Sequence, residues 1–153
     1  MTADADKAAL EQANAHVKER YFEPVNAELK PLLGLLYGGA HIQFDDETLA
    51  PQELTRDGIV ERMDALSGGT REQIAILTRL AFAKLLAKTG SAPPVILDDA
   101  LIFSDDDRIE KMFTALHAQT KDLQIIAFTC RQRAFEALGG KVLKLSPWAP
   151  DES

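Results

Sequence analysis

Residues Leu66 to Gln73 read Leu-Ser-Gly-Gly-Thr-Arg-Glu-Gln, LSGGTREQ, and open a long helical stretch. From Thr70 to Lys88 good helix formers follow one another, and Gly90 with Pro93-Pro94 stops them. Ser67 precedes the helix, and Thr70 with Gln73 has the spacing of a capping box. Gly68 and Gly69 leave backbone N–H groups uncovered by side chains, at a helix end with unpaired donors and partial positive charge. Such a place can hold an anion such as a phosphate oxygen. The plainer reading is a turn and a cap, and these eight residues alone leave both standing.

Downstream, Val95-Ile96-Leu97 is a continuous apolar run of the kind found in buried parallel strands, and it ends in Asp98-Asp99. Open α/β sheets bind ligands at the C-terminal ends of their strands. Neighbours on an extended chain point to opposite sides, so Asp98 can hold a hydrated Mg²⁺ while Asp99 faces a water nucleophile. An Asp-Asp turn is the plainer alternative. The stretch Ala100 to Asp107 then puts an acidic loop ahead of a helix expected from Asp105 to Thr120, with Ser104 or Asp105 as its cap. Gln124 to Thr129 is a second expected strand, Arg131 to Leu138 a short helix stopped by Gly139-Gly140, and Lys141 to Leu145 a third strand. Helices alternating with apolar strands predict an α/β fold, a mostly parallel sheet flanked by helices.

Upstream, Leu10, Ala13, Val17 and Tyr21 form a stripe on a helix expected from Ala3 to Arg20, which Pro24 interrupts. Under three heptads is weak support for a coiled coil, so the stripe is at most a candidate foot of one. A second helix runs from Val25 to Leu36 and stops at Gly38-Gly39. His41 to Phe44 alternates polar and apolar, Asp45-Asp46 turns, and Thr48 to Ala50 resumes, a small β-hairpin. The chain thus divides into an N-terminal helical segment 1–37, a lobe 38–145 and a tail 146–153, whose Trp148 is assigned no function.

Composition narrows the function classes. At 153 residues and 46% hydrophobic, the chain suits one domain with a real core. No run approaches the roughly 18 apolar residues of a membrane span, and no secretory signal stands at the start, so the expectation is a cytoplasmic protein without a membrane partner. Cys130 alone excludes an internal disulfide and a Cys-based zinc cage; it is expected as a packed strand-end residue. A net charge of −7 makes the chain a poor candidate for gripping DNA by itself. His16, His41 and His117 lack paired metal-ligand spacing, and Arg71 and Arg79 are expected on a solvated helix face.

In order and spacing, LSGGTREQ, the strand ending Asp98-Asp99, Phe103-Ser104-Asp105, and the strand running into Phe128-Thr129-Cys130-Arg131 together resemble the C-terminal half of an ABC-type ATPase head. The resemblance is to SMC-like ATPases, the group that includes chromosome-segregation and double-strand-break-repair proteins with coiled-coil arms, and it covers about residues 40 to 145. It implies that Ser67, Gly68 and Gly69 are the signature that contacts the γ-phosphate of ATP held by the opposite subunit, with Asp105 as the D-loop contact. It also implies that Asp98 is the Walker B aspartate supporting Mg²⁺. Asp99 stands where the family usually has a catalytic glutamate, and Cys130 where many relatives have a histidine sensing γ-phosphate; a thiol supplies no imidazolium. The sequence contains no Gly-x-x-x-x-Gly-Lys-Ser/Thr loop, so it holds half of an ATP site.

The implied partners are a Walker A-bearing N-terminal lobe and a second head in an ATP-dependent homodimer, with DNA reached only through the full-length parent. Alone, the chain is expected to be inactive. Two rival readings remain: a non-catalytic interaction module derived from an ATPase lobe, and an unrelated phosphate-binding α/β enzyme with a small-molecule pocket of its own.

Overall fold

The computed structural model describes residues 7–10, 12, 13, 16, 20, 22–45, 48, 50–101, 105–130, 132–136 and 138–145. Helix α1 spans Glu23–Leu36. Pro24 lies in its first turn, and the described residues Arg20 and Phe22 just before it are also helical. Residues 7–10, 12, 13 and 16 are helical, and Leu10 and Ala13 of the expected stripe are exposed; Val17 and Tyr21 lie outside the described residues. The inward stripe of α1 is Val25, Leu29, Leu32 and Leu33.

Helix α2, Gly68–Lys88, buries Ile74, Ile76, Leu77, Leu80, Ala81 and Ala83. That set is too broad for one amphipathic stripe and marks a helix covered on several sides. Helix α1 packs along it, and strand β4, Val95–Asp98, also contacts it. Arg71 and Arg79 are exposed, as expected. Helix α3, Asp106–Gln119, repeats buried residues at helical spacing, Ile109, Met112, Phe113 and Leu116, and packs on α1. Glu28 of α1 pairs with Lys88 and, at 3.2 Å, with Lys84, tying α1 to the last turns of α2. The Lys88 partnership first, and Lys84 with it, holds the Glu28 carboxyl below its ordinary range against the opposing effect of burial.

The sheets differ from the expected one. Strands β1 (His41–Phe44), β2 (Pro51–Arg56) and β3 (Ile59–Arg62) form an antiparallel meander. His41 pairs with Thr55 and Ile42 with Leu54, so the partner of β1 is residues 51–56 and not the expected Thr48 to Ala50, of which Thr48 is in a turn and Leu49 lies outside the described residues. Asp57 and Gly58, at φ 52° and 76°, make the two-residue turn between β2 and β3, the geometry that matches strand twist. Ile42, Phe44 and Leu54 face the core, and Phe44 meets Phe22 edge-on at 6.0 Å.

Strands β4 and β5 (Ile125–Phe128) pair in parallel, Val95 with Ile125 through Asp98 with Phe128. The α/β class holds, but this pair is the whole parallel sheet among the described residues, and the larger sheet is antiparallel. Helix α4 spans Gln132–Glu136, shorter than expected; Phe135 meets Phe113 edge-on at 5.2 Å. Residues 141–145, expected as a third strand, are not one: Val142, Leu143 and Leu145 are all exposed, so the segment has neither a paired edge nor a face to bury. The tail 146–153, with Trp148, lies outside the described residues.

Candidate functional site

Ser67 is extended, at φ −60° and ψ 153°, and caps α2: its Oγ accepts the Thr70 N–H at 3.2 Å. The cap is therefore Ser67 with Thr70, and not the expected Thr70–Gln73 box. Gln73 is buried and serves the interior instead, where its Oε1 accepts the Tyr37 hydroxyl. Burial pushes the Tyr37 phenol up from its ordinary value, and the Arg56 guanidinium lies over its ring at 5.5 Å. Arg56 is in turn held by Glu61 at 2.6 Å, so the meander braces the residue that braces α2.

Ser67 and Gly68 are exposed, while Gly69 and Thr70 are buried. The N–H groups of Gly68 and Gly69 are in the first turn, where no intrahelical acceptor exists. A Cβ placed on Gly68 meets no atom within 4 Å, and its φ is not in the left-handed region. Among the described residues, neither packing nor backbone conformation calls for glycine there.

Asp105 caps α3, accepting the Arg108 N–H at 2.9 Å, as one of the two expected caps; Ser104 lies outside the described residues. Its second oxygen pairs with Arg108 Nε at 3.3 Å. Arg108 then reaches Thr70 Oγ1 at 3.5 Å, which lies 2.9 Å from Ser67 Oγ. Ser67, Gly68, Gly69 and Asp105 thus form one group, linked through Thr70 as hub, expected only in a capping box, and Arg108 as bridge, for which no role was expected. The spacing Asp105-x-x-Arg108 was the available signal for the bridge.

Asp98 and Asp99 form a second group at the C-terminal ends of the parallel strands. Both are exposed. Asp99 adopts φ 44°, and its Oδ1 accepts the Cys130 N–H at 3.2 Å. Cys130 is exposed and not packed as expected, because the chain leaves β5 two residues earlier. One or two exposed carboxylates beside a nucleotide suit Mg²⁺, which keeps waters and phosphate oxygens as its other ligands. The donor set therefore fits the metal. Among the described residues no cluster of three or more metal-ligating side chains occurs, and His16, His41 and His117 are exposed.

The face of β4–β5 carrying Asp98 is uncovered: Ile96 is 54% and Phe128 42% exposed, whereas Val95 and Leu97 on the other face are buried. Parallel strands are ordinarily covered on both faces. No helix among the described residues is long and apolar enough to cross a membrane.

No family model matches the chain. An uncharacterized protein of Mycobacterium tuberculosis is 38% identical over 121 residues, 79% of this chain and 14% of that protein. An uncharacterized protein of Bacillus subtilis is 28% identical over 120 residues, 77% of this chain and 12% of that protein. A DNA double-strand break repair Rad50 ATPase of Thermoplasma volcanium is 36% identical over 67 residues, 44% of this chain and 7% of that protein. The chain therefore spans about a seventh of the length of the Mycobacterium tuberculosis protein. Among solved structures, one reported for ATP-driven dimerization and DNA-stimulated activation of SMC ATPases superposes with a TM-score of 0.66 at 23% identity, over 86% of this chain and 81% of that one. The SMC head domain from Thermotoga maritima gives 0.58 at 20% identity, over 82% of this chain and 44% of the head. In fold, the chain is similar to part of SMC ATPase heads, in line with the resemblance carried by the order of its motifs.

Proposed function

We propose that the chain is the C-terminal lobe of an SMC-like ATPase head, 38–145 with a helical segment 1–37 before it, and that it completes two ATP sites. To its own head it gives Asp98, to hold Mg²⁺ with the nucleotide phosphates, and Asp99, to orient the attacking water. To a second head it gives Ser67, Gly68 and Gly69, whose donors face the γ-phosphate, and Asp105 beside them. Bound Mg²⁺ supplies charge neutralisation on the phosphates. Fixed N–H dipoles at a helix end stabilise the charge of the transferring group without rearranging.

The observation that carries this reading is Gly68: a glycine without packing or conformational cause, at the exposed start of a helix braced on several sides. Space left there for an outside anion explains it. The uncovered face of β4–β5 is the seat for the Walker A-bearing lobe, and burying Ile96 and Phe128 would favour that docking. ATP then joins two such heads and hydrolysis releases them, in DNA repair or chromosome maintenance; the Rad50 relative is named for DNA double-strand break repair. The work is cytoplasmic.

The test joins this chain to its Walker A-bearing lobe and measures ATP hydrolysis. The joined head turns ATP over, Asp98→Ala abolishes it, and this chain alone neither binds ATP tightly nor turns it over; turnover by the pure chain that Asp98→Ala abolishes contradicts the reading. One observation favours a second, non-catalytic reading: an oxygen of Asp99 is already engaged by the Cys130 N–H. An inactive but ATP-dimerising wild-type head would select it.

A further inference from the structure

We propose that Arg108 is a further binding residue of this site, donating guanidinium N–H bonds to a phosphate of the second head's nucleotide beside the Ser67-Gly68-Gly69 start of α2. The inference rests on the reading of that start as a phosphate contact. The surroundings call for a cation. Asp105 and the first turn of α3 bring three exposed carboxylates, Asp105, Asp106 and Asp107, to the side of a place that is to receive a polyanion, in a chain of net charge −7. Like charges at short range repel, and the partial charge of a helix N-terminus, about half a unit, offsets little of this.

Among the described residues, Arg108 is the cation whose side chain reaches this group. Its Nε pairs with Asp105 at 3.3 Å and its Nη1 reaches Thr70 Oγ1 at 3.5 Å, and that oxygen lies 2.9 Å from Ser67 Oγ. Nη1 is thus no more than two hydrogen-bond lengths from Ser67 Oγ, a span that one phosphate, with its several oxygens, can bridge. A guanidinium carries its N–H donors in one plane and has no acceptor. Asp105 and Thr70 are the only side-chain partners of Arg108 among the described residues, so Nη2 and the second hydrogen of Nη1 are uncommitted. The side chain is 41% exposed, which leaves those donors open to a ligand from outside the chain. Held by Asp105 and by Thr70, itself only 2% exposed, the guanidinium gives up little freedom on binding, and its planar fork matches phosphate oxygens. The Thr70 hydroxyl hydrogen can turn to Ser67 or to Tyr37 without changing what Arg108 offers.

The experiment uses the complete head, both lobes, and measures association with ATP and Mg²⁺ by light scattering across salt concentrations, alongside thermal unfolding of this chain. Arg108→Met weakens association by about tenfold at low salt, the worth of one charge-assisted hydrogen bond, and its gap to wild type narrows as salt screens the contact. Arg108→Lys recovers most of the association and Arg108→Glu loses more than Arg108→Met. Unfolding of this chain stays near wild type in Arg108→Met, because an exposed ion pair adds little. Thr70→Val, which removes the hold but keeps the cation, costs less than Arg108→Met. The inference fails if Arg108→Met associates like wild type, if Arg108→Lys loses as much as Arg108→Met, or if the loss ignores salt or comes with a lowered unfolding temperature. It fails too if Thr70→Val and Arg108→Met lose equally and the double variant loses no more, since Arg108 would then act only through Thr70. Ser67→Arg separates the two levels: if it associates like wild type, the phosphate reading of this helix start falls and this inference with it; if it blocks association while Arg108→Met does not weaken it, only this inference falls.

Discussion

Asp99 Oδ1 accepts the Cys130 N–H at 3.2 Å, while the Asp99 N–H donates to Phe128 O at 2.9 Å. One residue thereby ties the ends of β4 and β5 together by side chain and backbone. It does so at φ 44°, a left-handed conformation that Asp and Asn tolerate better than other side chains.

Two substitutions at this position therefore part company. Asp99→Asn keeps an acceptor and the tolerated backbone, so thermal unfolding of this chain stays near wild type while hydrolysis by the complete head falls. Asp99→Ala loses both and costs about 1 kcal/mol of stability in addition. Equal stability of the two variants would show that the tie to Cys130 carries nothing.

Gly68→Ala should act in opposite directions on folding and association. With no atom within 4 Å of the added Cβ, alanine raises the stability of this chain by up to about 1 kcal/mol through helix propensity and the unfolded chain. The same methyl stands before the first-turn N–H groups and weakens ATP-dependent head association. Denaturant unfolding and association of the complete head, measured on one variant, check both signs.

The Glu28 contacts make stability depend on acid. Its folded pKa lies below the ordinary value, so its contribution is full above the unfolded pKa of about 4.3 and is lost as pH falls through the lower folded value. Glu28→Gln should cost about 0.5–1 kcal/mol near pH 7, and the difference from wild type should shrink below about pH 4. A difference that stays constant through acid would remove the ion pairs from the account.

Tyr37 carries the opposite dependence. Burial raises its folded pKa, so its contribution is present below the ordinary tyrosine value and is lost as pH rises through the folded one. Tyr37→Phe, which removes the hydroxyl held by Gln73, should cost about 1 kcal/mol at neutral pH and flatten the loss of stability seen above about pH 10. Urea unfolding across that range measures it.

The helices were legible because their signals are local. Gly90 and Pro93-Pro94 end α2, and the spacing of Ile109, Met112, Phe113 and Leu116 gives α3. The meander was half missed: Asp57-Gly58 is a strong hairpin signal, but the apolar positions of β2 and β3 alternate poorly, with Ile59 and Val60 exposed on neighbouring positions. Lys141 to Leu145 reads as a strand because its composition records what it prefers, while pairing depends on an edge that no described residues place beside it. Of the site, caps and carboxylates could be picked out one by one. Arg108 to Thr70 and Tyr37 to Gln73 could not, since contacts across 38 and 36 residues exist only once α1, α2 and α3 are packed.

The central claim is that the Ser67-Gly68-Gly69 start of α2 binds the nucleotide of another head. The most direct measurement is the mass, by light scattering, of the complete head carrying Asp99→Asn, with and without ATP and Mg²⁺, against the same head also carrying Ser67→Arg. The account predicts a dimer with ATP in the first and a monomer in the second, with both binding ATP equally as monomers. A dimer of equal affinity in both would contradict it.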